Sequence, residues 1–369
     1  MHFRLFLAAL AGLTLPLLAQ EGAGPNDQAR FLAGLPVRNS ALDAFAHDPQ
    51  WAQHAVEMDK AWGKAEEHQL AKVRSFASSH VPGSGSRDTM YYMFSGPDFL
   101  YANTVYPNAS TYILCGIEPV GQVPDITKIP RASLDAALSN IRVSLKTVLA
   151  QHYFITKDMR VDLTKNNLNG TLPILYVFLA RTGHTISSVQ YVNSPAPGVK
   201  ITFGSQTLYY FKTDLSNGGG SAGFLRWCAQ QRPGMSLLKA ASYLMHEESF
   251  STVRNFLLQN SRVIVQDDSG IPFRYFGQAG WELDLYGHYN DVLDTFANKL
   301  QPDLVNAYAN GHNTDLGFAF GYHWQKEKGM IMVGTHPVGK APPVVETAPK
   351  PQAKVAQGTR QGGFHKKGQ

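Results

Sequence analysis

Cysteine is nearly absent. Cys115 and Cys228 are the only two in 369 residues, and they form no Cys-x-x-Cys pair. This excludes a disulfide-framed scaffold, a dithiol redox motif and a thiolate zinc site. Other signatures of chemistry are incomplete. His246-Glu247-Glu248 opens like a zinc-protease helix, but Phe250 stands where the second histidine belongs. His288, His312, His323 and His336 follow no metal-ligand spacing, so no metal is expected. Gly204-Ser205 and Gly83-Ser84-Gly85-Ser86 do not fit a nucleophile elbow. Long apolar runs are missing too. Residues 5–18 are a 14-residue stretch interrupted by Gly12, Thr14 and Pro16, against the roughly 20 residues a membrane-spanning helix needs. No later stretch is apolar enough to span.

That short run does have a use. Arg4 precedes it and the small residue Ala19 closes it, which is the layout of a cleavable secretory signal over residues 1–19. A soluble mature chain, periplasmic or extracellular, is therefore expected. Export would also permit a Cys115–Cys228 disulfide, although each residue reads equally well as a small buried hydrophobe. The formal charge of +5 resides in the C-terminal segment, where Lys340, Lys350, Lys354, Arg360, Lys366 and Lys367 face one acid, Glu346. The body is near charge balance, so it carries no nucleic-acid footprint. The Pro/Lys/Gln-rich tail, residues 336–369, has too little apolar surface to fold. Contact with an anionic envelope surface and a merely solvated tail are both open for it.

Between these ends the pattern is α/β. A linker and helical lead-in cover residues 20–86. Apolar strands of the fully buried type at 90–94, 111–115, 153–156, 208–213, 236–241 and 262–265 alternate with amphipathic helices at 99–105, 132–151, 172–180, 224–231 and 250–260. Further strands are expected at 185–192, 199–203, 282–286 and 316–324, and helices at 291–300 and 303–309. Tyr209-Tyr210 repeats Tyr91-Tyr92, and the strand at 262–265 repeats that at 153–156. The expectation is two tandem βαβαβ-type, Rossmann-like units with mostly parallel sheets, over residues 87–204 and 205–335.

Ligands of open α/β sheets bind beyond the carboxyl ends of the strands. The polar residues there are Ser95, Asp98, Glu118, Asp158, Thr213 and Asp214, which are the candidate ligand-binding set. Gly96 and Glu118 are placed as the turn glycine and ribose carboxylate of a nucleoside site, but the first strand is followed by one glycine instead of Gly-x-Gly-x-x-Gly. Nucleotide cofactors are also scarce outside the cytoplasm, so no cofactor is expected. The densest polar cluster lies at Gln266-Asp267-Asp268-Ser269-Gly270-Ile271-Pro272-Phe273-Arg274. Asp267, Asp268 and Arg274 are the candidate catalytic residues, because paired carboxylates split their pKa values or bind metal. A plain turn at Asp268-Ser269-Gly270 is the competing reading.

The runs Tyr92-Met93-Phe94-Ser95-Gly96-Pro97-Asp98-Phe99-Leu100-Tyr101 and Gln266 to Phe276 resemble motifs of an uncharacterised family of exported bacterial proteins. The resemblance spans about residues 85–325. It implies an envelope or secreted protein and brings no activity with it. Three functions follow as expectations. The first is binding of a small ligand or envelope component in a crevice at strand carboxyl ends. The second is a carboxylate- or metal-assisted hydrolase using Asp267 and Asp268. The third is an envelope interaction protein.

Overall fold

Strands that are apolar on both sides pair at the centre of a single sheet. The computed structural model describes residues 22–38, 40–151, 168–231, 234–311, 314–323 and 325–336. Its strands are β1 (Thr89–Tyr92), β2 (Thr111–Gly116), β3 (Ile186–Val192), β4 (Gly198–Phe203), β5 (Gln206–Lys212), β6 (Gly234–Leu238), β7 (Ser261–Gln266), β8 (Glu282–Gly287) and β9 (Met330–Thr335). All lie in one 9-stranded sheet of order β3-β4-β5-β2-β1-β6-β7-β9-β8. From β5 to β7 every neighbouring pair is parallel. The β3-β4 hairpin extends one edge antiparallel. On the other side β9 runs antiparallel to both β7 and β8.

The helices are α1 (Pro25–Leu32), α2 (Asp43–Ala46), α3 (Pro49–Ala65), α4 (Ala71–His80), α5 (Phe99–Val105), α6 (Arg131–Gln151), α7 (Leu172–Arg181), α8 (Ser221–Ala229), α9 (Ser251–Asn260), α10 (Phe273–Gln278) and α11 (Pro302–Ala309). They divide between the two faces by strand parity. Tyr92, Tyr112, Leu114, Leu237 and Val265 point into a core shared with α1 and α3 to α7. Tyr91, Ile113, Cys115, Leu238 and Ile264 point into a core shared with α8 to α11. Burial on both faces explains why these strands lack alternation. Each fully buried Val, Leu or Phe side chain contributes about 1.5–3 kcal/mol.

The connections place the functional region. The chain runs β1-α5-β2 and on through α6, α7, β3 and β4 to β5 over the first face. It then returns to the centre and runs β6-α9-β7 over the second. The winding direction reverses between β1 and β6, the position where open α/β sheets leave a crevice.

A single sheet replaces the two expected tandem units. Met90 pairs with Met235 across the supposed boundary, so both segments contribute to one sheet. The cut at 204/205 falls inside the tight β4-β5 hairpin, where Gly204 takes a positive φ of 53°. The expected strand at 153–156, the repeat built on it, residues 1–19 and residues 337–369 lie outside the described residues. The expected strand at 316–324 reduces to an isolated bridge between Phe320 and His323, because Gly317 and Gly321 turn left-handed within it. Among the described residues the last strand is β9 instead. The expected helix at 291–300 is a kinked 3-10 segment, Asp294–Lys299. Among the described residues no helix is long and apolar enough to cross a membrane.

Candidate functional site

The carboxyl ends of β1, β2, β5 and β6 surround a cavity of about 460 Å³. Phe94, Ser95, Gly96 and Asp98 come from β1 and its loop, and Gly116, Ile117 and Glu118 from β2. Thr213, Asp214 and Leu215 follow β5, while Lys239, Ala240, Ser242 and Leu244 follow β6; Phe250 closes one side. Five sequence-chosen residues, Ser95, Asp98, Glu118, Thr213 and Asp214, thus meet around one space. Asp158 lies outside the described residues.

The backbone around this cavity is unusual. Phe94, Ala240, Ser242 and Tyr243 all have φ between 53° and 63°. L-residues hold such a conformation at a cost of about 1–3 kcal/mol each, and it persists only where the surroundings impose it. Phe94 ends the β1 segment and the other three form the loop after β6, so the strain falls on both sides of the reversal point. Gly96 and Gly116 let the β1 and β2 tips touch. A Cβ on Gly116 would lie 3.0 Å from the Gly96 Cα and strike the Glu118 carboxylate.

Asp98 and Lys239 form a buried ion pair at 3.3 Å. Asp98 also caps α5, accepting from the Tyr101 N–H at 3.1 Å, and accepts from the Tyr92 hydroxyl at 2.9 Å. The Lys239 ammonium lies 3.9 Å from the centre of the Tyr101 ring. Burial pulls its pKa below the usual lysine range, against the opposing pull of Asp98 and Asp267. The Tyr210 hydroxyl is shared between two Glu118 acceptors, the carbonyl at 3.0 Å and the carboxylate at 3.3 Å. Burial, then the Glu118 charge, pushes the Tyr210 pKa well up, so the phenol stays a donor. Ser95 is turned to the backbone, with its hydroxyl 2.9 Å from the Gly96 carbonyl.

Asp267 and Asp268 are fully buried and do not line this cavity. Asp267 accepts from the Ala240 N–H at 3.0 Å, the Ser269 N–H at 3.1 Å and the Ser269 hydroxyl at 2.5 Å. Asp268 accepts from the Tyr243 hydroxyl at 2.6 Å and lies 3.4 Å from His323 Nε2. The Ser269 hydroxyl takes the Ala241 N–H at 2.7 Å. This turn therefore clamps the strained loop after β6. Burial, then the Asp268 charge, raises the Asp267 pKa. Burial works against a charged His323, but Asp268, Asp267 and Asp291 outweigh it and raise that pKa. Arg274 is not part of the cluster. It is exposed, with its guanidinium 4.8 Å from the Tyr275 ring centre.

Cys115 and Cys228 are buried free thiols in the same apolar layer. The disulfide that export permits is not made, and the Cys115 thiol instead contacts the Met93 sulfur at 3.3 Å. Burial pushes the Cys115 pKa up to about 12, which keeps it an inert thiol.

Some residues escaped the sequence reading. Lys239 falls within the strand expected at 236–241, whereas β6 ends at Leu238; a lysine directly after an apolar run is the available signal. Gly218-Gly219-Gly220-Ser221-Ala222-Gly223 satisfies both Gly-x-Gly-x-x-Gly and Gly-x-Ser-x-Gly. Neither chemistry follows. Ser221 is buried and donates to the Ser216 carbonyl at 3.1 Å. Gly219 packs against the Asp214 carboxyl group, which also accepts from the Ser216 N–H at 2.9 Å. No protein-family model matches this chain, and no curated protein matches it.

Proposed function

We propose that the protein is exported and binds a small ligand in the crevice at the carboxyl ends of β1, β2, β5 and β6. The observation that carries this reading is the coincidence of the winding reversal, the cavity and the left-handed residues Phe94, Ala240, Ser242 and Tyr243. Export rests on the signal-like segment at residues 1–19. The hydrolase reading has less support: the Asp267 carboxylate takes two backbone N–H groups, the Asp268 carboxylate takes the Tyr243 hydroxyl, and Arg274 is exposed.

Ile117 offers a clean test, since it lines the cavity yet is 53% exposed and so tolerates replacement. Native mass spectrometry of the purified protein should release a small molecule that Ile117→Trp retains poorly. Equal retention by both proteins would place the ligand elsewhere.

A further inference from the structure

We infer that the crevice ligand is a nucleoside without phosphate groups, uncharged or cationic at its 5′ end. This rests on the crevice being a binding site. In a sheet of this winding a carboxylate at the end of the second parallel strand holds the ribose hydroxyls. Glu118 occupies that place, with the Tyr210 hydroxyl 3.0 Å from its carbonyl oxygen and 3.3 Å from its carboxylate. Phe94, Ile117, Leu215, Leu244 and Phe250 supply apolar wall for a base, with Phe94 and Phe250 edge-to-face at 5.8 Å.

Phosphate is excluded twice. A pyrophosphate needs the open N–H groups of the first helix after β1, but there the Asp98 carboxylate already takes the Tyr101 N–H and sets a negative charge at the helix start and on the cavity wall. The glycine-rich turn after β5 is the second possible cradle, and there the Asp214 carboxyl group packs against Gly219. Among the cavity-lining residues Asp98, Glu118 and Asp214 oppose one base, Lys239, which Asp98 already engages at 3.3 Å. Such a lining repels phosphate and tolerates an ammonium.

Isothermal calorimetry on the full mature chain would test this with adenosine, uridine, 2′,3′-dideoxyadenosine, 5′-amino-5′-deoxyadenosine and adenosine 5′-monophosphate. At least one unphosphorylated nucleoside should bind, and for adenosine the dideoxy form should bind at least about tenfold more weakly, as when a charged acceptor loses its hydrogen-bond partner. Glu118→Gln should weaken adenosine similarly without further weakening the dideoxy form. The 5′-amino compound should match or exceed adenosine, and the monophosphate should fall at least about tenfold below it. Equal binding of adenosine and its monophosphate, or of adenosine and its dideoxy form, overturns the inference. So does the absence of binding by every nucleoside. In that last case a molecule retained by the wild type and lost from Ile117→Trp leaves the crevice reading standing, whereas equal retention removes both.

Discussion

Two acidic stretches follow parallel strands of this sheet, and they differ in what surrounds them. After β1 and β2, Asp98 and Glu118 line a cavity. After β7, Asp267 and Asp268 are sealed, and their oxygens take N–H and O–H groups from residues 240, 243 and 269. The sequence density of carboxylates is higher at the second stretch, yet the space for a ligand is at the first. Asp98 is itself held by Lys239, Tyr92 and Tyr101, so the contrast rests on Glu118. Carboxylates saturated by their own protein set the shape of a loop, whereas one bordering open volume is available for recognition.

The largest expected effect breaks the sealed side. Asp267→Ala strips the acceptor from two backbone N–H groups and the Ser269 hydroxyl, so urea unfolding should show a loss of about 3–5 kcal/mol. A loss below about 1 kcal/mol would mean that the turn does not clamp the loop. Gly321→Ala should cost about 2 kcal/mol or more, the penalty of overpacking, because its new methyl group would collide with the Asp267 carboxylate and φ there is already +64°. Thermal or urea unfolding reads it directly. Tyr243→Phe leaves Asp268 one donor short and should cost about 1–3 kcal/mol.

Acid sharpens the same contrast. Burial lowers the His246 pKa to about 4, and its Nε2 lies 3.3 Å from the Asp268 carbonyl. The folded value lies below the unfolded one of 6.5, so its contribution is complete above pH 6.5 and is lost as pH falls through about 4. The stability advantage of wild type over His246→Gln should shrink across that window. An advantage that stays constant would contradict the buried, neutral state. Arg274→Ala should do least, within about 0.5 kcal/mol, as expected for an exposed side chain outside both clusters.

Much of the fold was legible because burial on both faces writes an unbroken apolar run. The strand at Thr111–Gly116 and the helices at Phe99–Val105 and Arg131–Gln151 fall where their periodicity places them. Strand order was not legible, since Met90 meeting Met235 leaves no local trace. The Tyr-Tyr pair shared by β1 and β5 sits in the same two-sided environment, since Tyr91 and Tyr92 face opposite cores, as do Tyr209 and Tyr210. Ser95, Asp98, Glu118, Thr213 and Asp214 could be placed at strand ends from sequence, whereas Lys239 could not, because the strand before it ends earlier than its apolar run suggests. The sealing of Asp267 was not legible either, because Ala240 and Gly321 reach it from distant segments.

Amide hydrogen exchange, with and without the small molecule that the wild-type chain retains, tests the central claim most directly. Protection should rise at residues 93–98, 116–118, 213–215 and 239–244. Protection confined to residues 266–274 and 321–328, with the crevice unchanged, would contradict the account and return the site to the paired aspartates.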